Sequence, residues 1–290
     1  MRIGLITPEP GHPLLAAASA LLTGAGHHVE AVDPLAADPP GPRDARPAAD
    51  AYLLKSRTPR ALALARALEE RGAAVVNSTA ATRRCQDRTE MAEIALRAGL
   101  PFAATRTVGP LGPWAAGRTL AAPLVVKSRH SRRGDLVALV HGTSQLAELA
   151  GRWPQEPVVV QDFTANSGWD HKLWAIGDEV FAALRRSELS PAGRGPTRTL
   201  GPGELPPGWA ALVRAAGAAF ALDVYGVDVI DAGDGTPLIV DVNAFPGIRG
   251  QAGAPEALAA LALRRAAERT AGAPGAAPPS AVAGPGRAPA

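Results

Sequence analysis

Apolar positions along the chain switch between a period of two, an unbroken short run and a helical spacing, and these switches define the predicted elements. Residues 2–7 form a short apolar run read as a buried strand, and 13–26 an Ala/Leu-rich helix closed by Gly24 and Gly26. "HHVEAVD" (27–33) and "DAYLLKS" (50–56) read as strands on either side of a Pro/Asp-rich loop at 36–49. A helix at 59–72 ending on Gly72 and a strand at 73–78 follow, then one long helix over 80–98. Strand–helix alternation at this spacing predicts a small α/β unit on a parallel sheet.

Beyond residue 120 the pattern becomes rich in strands: 120–128, 136–140, 156–163, 171–177 and 179–187, with a helix near 143–151. The tight "GDE" between the last two predicts an antiparallel hairpin. A Gly/Pro-rich loop spans 191–208, a helix 209–221, and "YGVDVIDAGDGTPLIVDVNAF" (225–245) reads as a hairpin turned by "AGDG". A last helix is expected over 255–270, and the Ala/Pro/Gly/Ser tail at 271–290 reads as disordered. The overall fold class is therefore α/β followed by α+β.

Composition narrows the function classes. With 290 residues and 47% apolar content, the chain can form more than one lobe. No apolar run has the length of a membrane span, and the N-terminus reads as a strand rather than a signal peptide. A single cysteine, Cys85, excludes an internal disulfide and suits a reducing cytoplasm. Net charge is only +3, arginine is dispersed and aromatics are 4%, which argues against nucleic-acid binding. Of 30 Lys plus Arg, only Lys55, Lys127 and Lys172 are lysine, and each follows or lies within a predicted strand.

Candidate chemistry concentrates on the last hairpin. Asp228 and Asp241 lie on strands flanking its turn, and Asn243 shares a face with Asp241 because side chains two apart on a strand point the same way. Two carboxylates and a carboxamide form a hard oxygen set of the kind that holds Mg²⁺ together with substrate phosphates. Lys127 ends the apolar strand "PLVVK" before the small, basic loop "SRHSRRGD", a placement suited to nucleotide phosphates. "VVVQDF" ends another buried strand, where backbone groups can meet an adenine edge, and Lys172 with Arg185 and Arg186 offers further cations on neighbouring strands.

Four blocks in order carry a family resemblance: "VVNSTAATRRCQDRTEMAEIALRAGLPFAATR", "PLVVK", "VVVQDFTANSGWDHKLWAIGDEVFAALRR" and "YGVDVI…PLIVDVNAFPG". Together they resemble the RimK-like group of the ATP-grasp superfamily, from about residue 73 to 268. The resemblance implies a pre-ATP-grasp α/β domain at 1–79 and an ATP-grasp domain at 80–270. The latter would have a smaller lobe near 115–158 and a C-terminal lobe near 159–270, clamping ATP between them. It implies that Arg88, Lys127 and Ser131 contact the nucleotide, with Gln161, Asp162 and Phe163 as the adenine hinge. Asp170 and Lys172 would sit beside the nucleotide, Lys172 and Arg186 would face the transferred phosphoryl group, and Asp228, Asp241 and Asn243 would hold Mg²⁺, or Mn²⁺ in its place. Acceptor recognition is assigned to Lys55, Arg57 and Arg249. The implied reaction joins a small-molecule or peptide carboxylate to an amine or thiol through an acylphosphate. A homo-oligomer is compatible with the group.

Three departures from the group's pattern stand out. Arg88 occupies the place of a usual lysine, the metal strand reads Asp-Val-Asn instead of Glu-x-Asn, and the phosphate loop has a single glycine among basic residues. The last two feed a rival reading: ATP-grasp inositol polyphosphate kinases resemble the chain in "DVNAFPG", "DRTEMAEI", "HKLWAIGDEVFAALRRSEL" and the lysine of "YLLKS", and basic residues would hold their anionic acceptor. Transfer of the phosphoryl group to a hydroxyl of an anionic acceptor therefore stays open beside ligation. The ligase is preferred for the breadth of that group.

Overall fold

The computed structural model describes residues 1–36, 47–132, 134–190, 193 and 195–272. Elements along the chain are β1 (Arg2–Ile6), α1 (Pro13–Gly24), β2 (His28–Val32), β3 (Ala51–Leu54), α2 (Pro59–Glu69), β4 (Ala74–Val76), α3 (Thr79–Arg84) and α4 (Arg88–Arg97). They continue with β5 (Thr105–Pro110), α5 (Leu111–Ala115), β6 (Leu124–Ser128), β7 (Val137–Val140), α6 (Thr143–Arg152) and β8 (Pro157–Asp162). The remainder are β9 (Trp169–Ile176), β10 (Glu179–Arg186), β11 (Thr197–Leu200), α7 (Trp209–Phe220), β12 (Val224–Asp231), β13 (Pro237–Ala244) and α8 (Ala254–Gly272).

The first four strands form a parallel sheet in the order β2-β1-β3-β4. Helix α2 covers one face, packing Ala61, Ala65 and Leu68 against Ile6, Tyr52 and Leu54. The other face carries Ile3, Leu5 and Leu53, buried under α1 and, from the far end of the chain, under Leu258, Leu261 and Ala262 of α8. The last helix thus completes the first unit's core, although the sequence assigns it to the C-terminal lobe.

Two antiparallel sheets follow. β5-β8-β6-β7 is four-stranded and packs α5 and α6 against Val126, Val158 and Val160. Its edge strand β5 comes from residues before the expected lobe start near 115. β11-β10-β9-β12-β13 is five-stranded and buries one face against Trp209, Val213 and Phe220 of α7 and Met91 and Ile94 of α4.

Several expectations need correction. The helix over 80–98 is two helices, because Asp87 leaves the helix and caps the next one, accepting from Thr89 N at 2.9 Å. Asp87 is held there by a bridge to His130 and by Arg129, so the break links α4 to the basic loop. The 191–208 segment contains β11, an exposed edge strand, and β5 was not foreseen either. The disorder expected of the tail concerns residues that lie, apart from Ala271 and Gly272, outside the described ones. The 36–49 loop falls outside them at 37–46.

The β12–β13 hairpin forms as its turn chemistry dictates. Asp231 accepts from Gly233 N at 2.8 Å and Gly235 N at 3.1 Å, and Ala232 N donates to Thr236 O. Its ladder contains a bulge: Asp228 pairs with Asp241, but the next pair is Val229 with Ile239. Val240 therefore stands outside the ladder.

Candidate active site

A cavity of about 560 Å³ lies between the two antiparallel sheets, a volume typical of small-molecule sites. Lys127, Gln161, Lys172, Asp228, Asp241 and Asn243 line it, each foreseen from sequence. Strand alternation explains the convergence. Asp170 and Lys172 on β9, Asp228 on β12, and Asp241 and Asn243 on β13 all project from one face of the five-stranded sheet.

Lys127, Lys172 and Arg88 each meet an acid or a carbonyl. Lys172 is 6% exposed; its Nζ lies 2.8 Å from Asp228 Oδ2 and 3.2 Å from Asp170 Oδ2. Lys127 reaches across from β6 and donates to Val240 O at 2.7 Å, the carbonyl that the bulge leaves outside the ladder. Burial pushes the Lys127 ammonium down from 10.5 to about 8, against the pull of Asp241 and Asp228. Arg88, at the start of α4, donates to Ser128 O at 2.8 Å, Asp135 at 2.7 Å and Asp241 at 3.3 Å. A lysine ammonium has no such planar fork, so the arginine bridges two carboxylates at this place. Asp135, at the end of "RRGD", is a site residue that no sequence pattern singled out.

Burial opposes ionisation of Asp241, but Arg88 and Lys127 outweigh it and hold the carboxyl below the usual range. Its Oδ1 is buried without a partner, so one oxygen of an ionised carboxylate is available beside Asp228 and Asn243. That is what a divalent cation requires. Among the described residues no group of three or more His, Cys, Asp or Glu forms a self-sufficient metal site. The set fits an ion that completes its shell with waters and phosphate oxygens.

The hinge segment sits at the end of β8. Gln161 is buried and donates to Thr105 Oγ1 at 2.9 Å, and Phe163 lines the cavity. The Asp162 carboxylate turns outward to Arg106 at 3.0 Å, which leaves its backbone as the part available to a base edge. Ser131 lines the cavity and is fixed by its own N–H to Gln86 O at 2.8 Å.

Arg186 is placed differently from expectation. Alternation along β10 puts Arg185, paired with Asp170, on the cavity face, whereas Arg186 pairs with Trp169 and lies over its ring at 5.6 Å. The basic loop also differs. Arg129 bonds Asp87 at 2.8 Å and Arg132 bonds Glu156 at 2.8 Å, so both serve to shape the loop.

The three acceptor candidates separate. Arg57 lines the cavity, and its Nη1 is buried without a partner. Lys55 is tied to Phe245 O at 3.2 Å and Pro246 O at 3.1 Å, which fixes the backbone after β13. Burial is the main reason its ammonium is lowered to about 8; Arg57 and Arg249 add to the shift. Arg249 lies near Lys55 and His12 and does not line the cavity.

Residues 116–256 match the RimK-like ATP-grasp domain model. Over 259 residues the chain is 30% identical to the ribosomal protein bS6–L-glutamate ligase of Shigella boydii serotype 4, covering 78% of this chain and 81% of that protein. The chain belongs to the RimK-like ATP-grasp family. Its fold matches a RimK-domain ATP-grasp protein from Sphaerobacter thermophilus with a TM-score of 0.71, at 23% identity over 91% of this chain and 100% of the other. It also matches the ATP-grasp ligase PsnB, solved with a minimal precursor, Mg and ADP, with a TM-score of 0.67, 17% identity, and coverage of 91% and 97%. None of these relatives is named a kinase. No helix of the described residues is long and apolar enough to cross a membrane.

Proposed function

We propose that the chain is an ATP-dependent carboxylate–amine ligase whose reaction runs in the cavity between the two antiparallel sheets. The observation that carries the reading is the convergence of Asp228, Asp241 and Asn243 with Arg88, Lys127 and Lys172 on one 560 Å³ space. Gln161 to Phe163 hold the base, and the three cations neutralise the phosphates, releasing the carboxylates they now bind. Mg²⁺, or Mn²⁺ in its place, would be held by Asp228, Asp241 Oδ1 and Asn243 and would offset charge on the phosphates.

In the first step a carboxylate oxygen of the acceptor bonds to the γ-phosphorus and ADP leaves with the bond electrons. In the second, the amine nitrogen bonds to the acyl carbon, phosphate departs, and the amine gives up a proton. Arg185 faces the transferred group in the place first assigned to Arg186, and Arg57 steers the acceptor carboxylate. Lys55 works through the Phe245–Pro246 backbone that it holds. A small-molecule or peptide carboxylate is the acceptor class; the domain boundaries near residues 79 and 158, a cytoplasmic location and a homo-oligomer accord with this reading.

The test is trapping. Hydroxylamine, ATP and Mg²⁺ with a panel of amino acids and short peptides should give a hydroxamate, ADP and phosphate, with the product mass naming the acceptor. A phosphorylated hydroxyl product with no hydroxamate would restore the kinase reading.

A further inference from the structure

The periodicity of residues 80–98 favours one continuous helix, yet Asp87 is extended, with φ −111° and ψ 109°, between α3 and α4. Bonds from a distant part of the chain hold it there. Gln86–Arg88 runs antiparallel to Arg129–Ser131: Arg88 N donates to Arg129 O at 2.9 Å, Ser131 N donates to Gln86 O at 2.8 Å, and Asp87 bridges His130. Both carboxylate oxygens of Asp87 accept from Arg129. Its Nε lies 3.1 Å from Oδ1 and 3.0 Å from Oδ2, and its Nη2 lies 2.8 Å from Oδ2. Neither Asp87 nor Arg129 lines the cavity, but the residues they flank do. Arg88 carries the bonds to Ser128 O, Asp135 and Asp241, and Ser131 faces the same space. Ser131 also lines a groove of about 830 Å³ beside α2, formed from α2, α3 and the His130–Arg132 stretch. The bridged segments are thus part of the wall between the two spaces, and Gln86 Nε2 ties that wall to Arg57 O at 2.9 Å.

We infer that Asp87 is a positioning residue for nucleotide binding: its clasp on Arg129 keeps the helix broken where Arg88 must leave it, and holds Ser131 on the cavity wall. The inference rests on the nucleotide reading of the cavity and is the same whether the phosphoryl group passes to a carboxylate or a hydroxyl. A guanidinium meets its acceptors only in its own plane, so the direction in which the backbone presents Arg88 matters. Each residue added to a helix turns the next side chain by about 100°. If residues 85–88 followed their helical periodicity, Arg88 would swing away from Asp135 and Asp241. As a stability contact alone the clasp would count for little. The Arg129 side chain is 39% exposed and that of Asp87 19%, and ion pairs open to water contribute weakly. Its effect lies in fixing two residues that face the phosphates, which is what a supporting layer around a binding site does.

The experiment titrates the full chain with ADP and Mg²⁺ by calorimetry and follows each variant's stability in urea. Asp87→Asn keeps an oxygen to cap α4 but loses the charged two-oxygen grip on Arg129. Asp87→Asn and Arg129→Gln should each weaken ADP binding about tenfold. Their urea midpoints should move no further than that of Arg66→Gln, which removes an exposed ion pair with Glu70 away from the cavity and leaves ADP binding as it was. The double variant Asp87→Asn with Arg129→Gln should bind no more weakly than the worse single one, because both changes remove one unit. Arg129→Lys, which keeps the charge and one bond, should recover part of the affinity. ADP binding unchanged in both single variants would overturn the role of Asp87. So would losses that add in the double variant, or weakened binding that comes only with a large fall in urea midpoint. A folded wild type that does not bind ADP with Mg²⁺ would instead bring down the nucleotide reading, and the clasp's role with it.

Discussion

Lys127→Met should make the nucleotide-free protein more stable while abolishing ATP turnover. Lys127 is 6% exposed and its ammonium is pushed from 10.5 to about 8, chiefly by burial. A tenfold loss of proton affinity corresponds to about 1.4 kcal/mol, so keeping the charge in the fold at neutral pH costs on the order of 3 kcal/mol. Methionine keeps the length and apolar stem of the side chain but loses the hydrogen bond to Val240 O, worth about 1 kcal/mol. The net expectation is a gain of about 2 kcal/mol, or roughly 4 °C in thermal midpoint. The sign follows from linkage: the folded pKa is the lower one, so between about pH 8 and 10.5 the unfolded chain holds more protons and wild-type stability rises with pH. Lys55, also lowered to about 8, adds a rise of its own, but it does so in both proteins and cancels in the difference. Urea melts of both proteins without nucleotide, at neutral pH and near pH 10.5, check this. The advantage of the variant should shrink across that window. A variant less stable than wild type at neutral pH, or a difference independent of pH, would refute the account of Lys127 as a strained buried charge.

Three further outcomes follow from the geometry. Arg185→Ala should reduce kcat by about tenfold or more, with Arg186→Ala much milder, in steady-state ADP release, because only Arg185 faces the cavity. Equal losses would return the role to Arg186. His12, lowered to about 4 by burial and by Lys55 and Arg249, is neutral in the fold; its contribution is complete above 6.5 and lost as pH falls from there towards 4. His12→Gln should flatten that acid limb in denaturant melts, and an unchanged limb would assign it to carboxylates elsewhere. Gly217→Ala should destabilise by about 1–3 kcal/mol in thermal melts, because a Cβ there meets the buried Tyr225 ring, whose hydroxyl is fixed on Val213 O. A stability unchanged by the added methyl would mean that the ring moves freely.

Much of the site was legible because strand periodicity and turn chemistry are local. "AGDG" fixes the hairpin, and the two-residue spacing of Asp241 and Asn243 fixes their shared face, so the chain itself spells out which oxygens converge on the cavity. Arg185 and Arg186 show the limit of the same rule. The tight hairpin pairs Arg185 with Asp170, but which face of that pair meets the cavity depends on how the two sheets stack, and that is a long-range matter. β5 and β11 were missed because "TRTVGP" and "TRTL" are polar edge strands that owe their conformation to their neighbours. The break at Asp87 was hidden for a similar reason, since its partners Arg129 and His130 lie some forty residues further along. The groove beside α2 joins segments from three parts of the chain, and no stretch of sequence announces it.

The bulge at Val240 behaves like an inserted letter that shifts a reading frame. Ile239 and Asp241 are two apart, yet Ile239 is buried in the core beneath the sheet while Asp241 faces the cavity. A regular strand could not separate them so. Removing Val240 would restore continuous pairing of Asp228 with Asp241 and Val229 with Ile239, leaving every carboxylate in its place. What would disappear is the one carbonyl that Lys127 grips from the opposite sheet. The extra residue takes no part in the hairpin ladder and joins the two jaws instead. Gaining or losing a single codon there would change how firmly they hold together, through the same lysine that lines the cavity.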